Sequence, residues 1–169
     1  GPLFGIRDLT QIHIFDHNNP PPVSLEGMPC IHTAPSLRKV GDKWEKICVG
    51  TTTSTRMDRF TPGLIGQYGV RAIIGKGGLY QGSLDAMQKY GAVYLAIVGG
   101  AAALEPEQIE EVEAVYFEEL HPEALYRFRV KNFGPLTVAM DSHGVHLYDQ
   151  VTENVKKKLP EIYAKLGVL

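Results

Sequence analysis

Two short, almost wholly apolar runs, Val70–Ile74 and Ala92–Val98, constrain this chain most. Each is rich in branched residues, and each stops at glycine: Gly75 after the first, Gly99-Gly100 after the second. A strand that is apolar on both of its faces must be covered on both, which is the condition of a parallel or mixed sheet inside an α/β protein. The segments around them agree. Thr61-Pro62 starts a helix through Gly63–Tyr68, because proline is well tolerated in the first turn, and Ser83–Tyr90 forms another between the two runs. Loops at the strand ends are then the places available for chemistry.

The rest of the chain reads as follows. Asp8–Phe15 is a helix for which Asp8 offers an N-cap, and it cannot pass Asn18-Asn19-Pro20-Pro21-Pro22. Met28–Thr33 and Trp44–Gly50 are strands. Pro106–Phe117 is expected to be a helix with Glu107, Glu110, Glu111 and Glu113 on its solvated face. Tyr126–Val130 and Leu136–Met140 are strands, and Leu147–Leu166 is an amphipathic helix that Pro160 should kink. Gly1–Gly5 runs directly into Ile6-Arg7-Asp8 with no strand before it, so an opening strand is expected to be missing, or Gly1-Pro2 to be a cloning scar. Residues 1–169 read as one domain, long enough and apolar enough (44%) to bury a core.

A net charge of only −2 argues against a general pull on nucleic acid or acidic membranes, so anion binding must be local. No apolar run reaches membrane-spanning length. Cys30 and Cys48 form no CxxC pair and fit two thiols in a reducing compartment. A cytoplasmic protein is the expectation.

The chemistry concentrates in Gly50-Thr51-Thr52-Thr53-Ser54-Thr55-Arg56-Met57-Asp58 and Gly75-Lys76-Gly77-Gly78. Arg56 offers a planar fork that fits a carboxylate, Lys76 a mobile point charge, and the glycines let backbone N–H groups approach a ligand. A nucleotide P-loop does not fit, since Gly69 and Gly75 have five residues between them and Gly77, not Ser or Thr, follows the lysine. Two or three of the hydroxyls suit structural caps. A threonine hydroxyl acting as a base needs an activating neighbour, and the only carboxylate close in sequence is Asp58. His13 and His17 have metal-ligand spacing on a helix but no third partner. Cys30 with His32, and His143 with His146, are weaker pairs.

The two motifs resemble the β subunit of class I iron–sulfur fumarases and of L-tartrate dehydratase, equivalent to the C-terminal domain of the single-chain fumarases. Pro122-Glu123-Ala124-Leu125, Phe133-Gly134-Pro135-Leu136, Met140-Asp141-Ser142-His143-Gly144 and the pair Arg7-Asp8 resemble further blocks of that family. Gln11 departs from it, standing where the family commonly has histidine. The resemblance implies a swivelling β/β/α domain, with mixed sheet layers flanked by helices, that closes over a cluster-bearing α subunit. That partner would hold a [4Fe–4S] cluster on three cysteines; this chain would hold no metal. The resemblance also implies that Arg7, Arg56 and Lys76 bind the carboxylates of a C4 dicarboxylate, and that Thr52 is the base, activated by an aspartate of the partner. A β-subunit dimer or higher oligomer is expected. Fumarate and malate are the favoured substrates. L-Tartrate is the alternative, suggested by Gly41-Asp42-Lys43-Trp44-Glu45, and a non-catalytic anion-binding domain is the rival from another class.

Overall fold

The computed structural model describes residues 1–98, 100 and 105–168. Gly99, half of the glycine pair read at the end of the second apolar run, lies outside the described residues. Nine strands are described: β1 Pro2–Ile6, β2 Pro29–His32, β3 Ser36–Val40, β4 Lys43–Cys48, β5 Ala72–Gly75, β6 Val93–Ala96, β7 Ile109–Tyr116, β8 Leu125–Val130 and β9 Thr137–Met140. The helices are α1 Asp8–Phe15, α2 Thr61–Gly66, α3 Gln81–Tyr90, the single turn α4 Glu105–Gln108, and α5 Leu147–Leu166.

Seven strands form one mixed sheet in the order β7-β8-β1-β2-β5-β6-β9. Its centre, β1-β2-β5-β6, is parallel, while β8 and β9 pair antiparallel to β1 and β6. The apolar runs that suggested such a sheet are β5 and β6, two of those parallel strands. Alternation along each strand then sorts the side chains into two cores. Phe4, Ile6, Ile73 and Tyr94 face α1, α2 and α3, with Ile14, Leu64, Ile65 and Met87 among the buried helix residues. Leu3, Ile31, Ile74, Tyr126 and Phe128 face the other way, where Leu37 and Trp44 of the two-stranded β3–β4 hairpin pack against them. Helices cover one face of the sheet and strand and loop segments the other.

Two expectations are corrected. Pro2–Ile6, where no strand was expected, is β1, which lies inside the sheet with both edges paired. Pro106–Phe117 is not a helix beyond the single turn of α4. It is β7, antiparallel to β8, with Ile109 and Val112 buried. Its glutamates line an exposed strand and meet arginines across the ladder, Glu113 with Arg127 and Glu111 with Arg129. Ion pairs directly across an antiparallel pair supply what the helical reading assigned to solvent.

Candidate active site

The hydroxyl run is held at the carboxyl ends of the parallel strands. Thr52 donates its backbone N–H to the carbonyl of His32 at the end of β2 (2.8 Å), and Ser54 donates to the carbonyl of Lys76 just past β5 (2.8 Å). Thr53 and Lys76 form an isolated parallel bridge. The run then turns into a 3-10 helix, Ser54–Phe60. Lys76 follows β5 directly, and Gly77 (φ +85°) and Gly78 (φ +79°) reverse the chain behind it in a conformation that favours glycine.

The four consecutive hydroxyls after Thr51 divide into different tasks. Ser54 is buried, and its Oγ lies 2.9 Å from His32 Nδ1 while accepting from the Tyr94 hydroxyl at 2.9 Å. With Tyr94 donating, the serine's own proton is free to go to the imidazole. Burial, the largest influence, pushes His32 down to about 4; Asp8 acts to raise it and Arg56 to lower it, and the ring is neutral at pH 7. Thr55 donates to the carbonyls of Gly77 and Gly78 at 3.3 and 3.2 Å, stapling the glycine loop. Thr52 alone carries its hydroxyl to an ionic group, accepting from Arg56 Nη2 at 3.0 Å.

Arg56 also grips Asp8, through Nε to Oδ1 (3.3 Å) and Nη2 to Oδ2 (3.1 Å). The planar fork that fits a carboxylate is thus fitted by one from this chain, and Nη1 has no hydrogen-bond partner among the described residues. Arg7 Nε lies 3.4 Å from Asp8 Oδ2 and 3.4 Å from Glu123 Oε1. Burial acts to raise the Asp8 pKa, but the hydrogen bond and charge of Arg56, aided by Arg7, outweigh it and hold the carboxyl below its ordinary value. Asp8 is not the cap of α1: Arg7 occupies that position with extended backbone, and Glu123 Oε2 accepts the N–H of Leu9 at 2.9 Å. The hydroxyl of Thr10 donates to the carbonyl of Glu123.

The structure therefore joins Arg7, Thr52 and Arg56 through Asp8. It places the backbone of Lys76 beside Thr53, one residue from Thr52. Lys76 is half-buried and makes no ion pair among the described residues. Asp58 is spent elsewhere, its Oδ1 accepting from Tyr80 N–H (2.7 Å) and Ser83 Oγ (2.6 Å) at the start of α3. Beneath the cluster lie buried groups with no partner among the described residues: both amide atoms of Gln11, and Nε2 of His32.

Among the described residues no group of three histidines, cysteines or acids is placed to hold an ion. His146 is occupied as a cap, with Nε2 3.1 Å from the Leu79 carbonyl and Nδ1 accepting from Asp149 N–H. Burial pushes the Cys30 thiol up to about 12.

The family model for the fumarase C-terminus matches residues 1–151. The chain belongs to that family. It is 41% identical over 157 residues to the L(+)-tartrate dehydratase subunit β of Escherichia coli K12, covering 92% of this chain and 77% of the relative. A Methanocaldococcus jannaschii protein provisionally given the same name is 40% identical over 167 residues, covering 96% of this chain and 86% of that one. A provisionally named fumarate hydratase class I of Geobacillus stearothermophilus is 36% identical over 163 residues, which span 95% of this chain and 31% of that protein. The resemblance carried by the hydroxyl–arginine and glycine–lysine motifs thus holds across the chain.

In this member of the fumarase C-terminal family, sequence reasoning missed the two carboxylates that orient the arginines. The sequence offers Asp8 as a cap and as half of the Arg7-Asp8 pair, and Glu123 as part of a motif, neither as an arginine's partner. The one signal available was that Arg7 and Arg56 together carry two charges that a partly buried site must balance.

Proposed function

We propose that this chain is the β subunit of a cytoplasmic hydro-lyase that interconverts L-malate and fumarate together with a cluster-bearing α subunit. The observation that carries the reading is Arg56 reaching both Asp8 and the Thr52 hydroxyl, with Arg7 on the same carboxylate and Lys76 adjoining through the backbone. Among the described residues no helix is long and apolar enough to cross a membrane.

The residues of this chain do not fit an iron–sulfur cluster. It has two cysteines where three ligands would be needed, so the cluster would belong to the α subunit. What this chain supplies is charge and position. A C4 dicarboxylate needs donors at both ends, and Arg7, Arg56 through its unpartnered Nη1, and Lys76 would provide them, each charge-assisted hydrogen bond contributing about 1.5–3 kcal/mol. In the dehydration direction an aspartate of the α subunit would take the Thr52 hydroxyl proton, and the oxygen so activated takes the proton from C3 of malate. The electron pair of that C–H bond forms the double bond as hydroxide departs from C2, and cations on the adjacent carboxylate stabilise the charge that builds there.

Arg56 also acts on the base. A negative oxygen 3.0 Å from a guanidinium nitrogen is stabilised by on the order of 3 kcal/mol once solvent screening at a half-exposed arginine is allowed for. The names of the 40–41% identical relatives favour L-tartrate as a second reading, in which the same donors hold a diacid with one more hydroxyl.

The test is to assemble the chain with a cluster-bearing α subunit under anaerobic conditions and follow fumarate hydration and L-tartrate dehydration side by side. Turnover of fumarate supports the first reading and turnover of tartrate alone the second. An assembled complex that turns over neither would leave an anion-binding domain without a reaction.

A further inference from the structure

The block Met140-Asp141-Ser142-His143-Gly144 takes no part in the arginine–carboxylate cluster, yet the chain it turns comes back against the loop that carries Lys76. Asp141 builds the turn. Its Oδ1 accepts the N–H groups of His143 (2.9 Å) and Val145 (3.1 Å), the usual way an aspartate closes a turn on its own backbone. Met140 and His146 then form an isolated antiparallel bridge that ties the returning chain to the end of β9. His146 and Tyr148 are thereby delivered to fixed places at the root of α5.

Both meet the glycine loop. His146 is buried and its Nδ1 accepts from Asp149 N–H, so Nε2 carries the proton of the neutral ring and donates to the Leu79 carbonyl at 3.1 Å. The Tyr148 ring lies against Gly78, where an added Cβ would come 2.7 Å from Cδ2 and 2.9 Å from Cε2; only glycine lets the ring sit this close. The ring of Tyr94, whose hydroxyl supports Ser54, is centred 6.4 Å from that of Tyr148. The hydroxyl run holds the same loop through other atoms. Ser54 N–H is on the Lys76 carbonyl, the Thr55 hydroxyl on those of Gly77 and Gly78, and Asp58 on the N–H of Tyr80. Two segments, 54–58 and 146–148, therefore fix residues 76–80 between them.

Lysine is a point charge on a flexible stem, and Lys76 makes no ion pair among the described residues, so the backbone it springs from decides where its ammonium can reach. We infer that Tyr148, with His146 beside it, is a positioning residue for Lys76, resting on the reading of that lysine as a substrate donor. The ring holds the glycine loop in the conformation that presents the ammonium to a carboxylate. A misplacement of about 1 Å in a substrate-holding group can cost about 10²-fold in rate, so a modest slackening of the loop is enough to be read.

The test is a cycle in the anaerobically assembled enzyme, comparing wild type, Tyr148→Ala, Lys76→Ala and the double variant on the diacid that the wild type turns over. Tyr148→Ala should lower kcat/KM by at least about tenfold, moving kcat and KM in the same directions as Lys76→Ala does, and should cost less than about threefold once Lys76 is already alanine. Loss of folded protein alone would lower activity by one factor whether or not the lysine is present. Tyr148→Phe, which keeps the ring, should stay within about threefold of wild type. In the full chain alone, amide hydrogen exchange at residues 76–79 should quicken at least about tenfold in Tyr148→Ala while β5 keeps its protection. Should Tyr148→Ala not unfold cooperatively, Tyr148→Leu takes its place in both measurements. An alanine variant as active as wild type, an equal loss on both lysine backgrounds, a Tyr148→Phe as damaging as the alanine, unchanged exchange in the loop, or a variant that no longer joins the α subunit would each overturn the inference while leaving Lys76 its place at the substrate. A Lys76→Ala loss under about tenfold would instead remove the lysine from the substrate and take the inference with it.

Discussion

Gly75→Ala is the sharpest single perturbation of the platform beneath the hydroxyl run. A Cβ built on Gly75 would lie 1.9 Å from Ser54 Oγ and 3.1 Å from the Tyr94 hydroxyl. Ser54 is fully buried and its hydroxyl holds both His32 and Tyr94, so it cannot yield without loosening both hydrogen bonds. Overpacking costs about 1–3 kcal/mol, and two weakened hydrogen bonds add about 1 kcal/mol each, for a total of about 3–5 kcal/mol. For a chain of this size that lowers Tm by roughly 6–20 °C. Ser54→Ala alone should cost about 2–4 kcal/mol, because it strands the Tyr94 hydroxyl and the His32 nitrogen. Once the serine oxygen is gone, however, Gly75→Ala has room and should cost about 1 kcal/mol. Urea unfolding of the four proteins at pH 7, followed by far-ultraviolet circular dichroism, completes the cycle. The expected coupling is about 2 kcal/mol or more in favour of the double variant. Costs that add within about 0.5 kcal/mol would refute the reasoning, since residues in van der Waals conflict cannot behave independently.

Three further outcomes follow from the site. In the assembled enzyme Arg56→Ala or Lys76→Ala should lower kcat/KM by at least about 10²-fold, the scale of losing a charge-stabilising donor, and a loss under tenfold would remove that residue from the substrate. Thr52→Ala should reduce kcat far more than it changes KM; the reverse split would make it a binding residue only. Because burial holds His32 near 4 against 6.5 in the unfolded chain, the unfolded state takes up a proton that the folded state refuses. The stability this contributes is present above pH 6.5 and is lost as pH falls towards 4, by about 3 kcal/mol in all. Urea midpoints of His32→Asn should therefore fall less steeply between pH 7 and 4.5 than those of the wild type, and parallel curves would contradict a buried neutral imidazole.

Much of this architecture was legible from local pattern. The apolar runs that became β5 and β6 could only be covered strands, and Leu147–Leu166 kept its helical period throughout. Pro106–Phe117 misled because glutamates at mixed spacing resemble a solvated helix, while the arginines that neutralise them lie some fifteen residues away on β8. β3 was missed because its side chains are mostly exposed and it is defined by pairing with β4 across the Gly41-Asp42 turn. At the site, Thr52, Arg56 and Lys76 stood out as a motif. Asp8 and Glu123 did not, since a carboxylate becomes an arginine's anchor only when distant segments meet: Arg56 reaches Asp8 across 48 positions and Glu123 reaches Leu9 across 114.

The position of β1 sets the order in which the protein can be completed during synthesis. One of its edges is filled by β2, within about thirty residues; the other is reserved for β8, where Pro2 lies opposite Arg129. At ribosomal speeds of about 5–20 residues per second, that second edge waits roughly 5–20 s for its neighbour to be made. A nascent chain therefore exposes an unpaired strand for seconds before the sheet can close, a window in which a chaperone's grip would matter more than the finished protein's stability suggests.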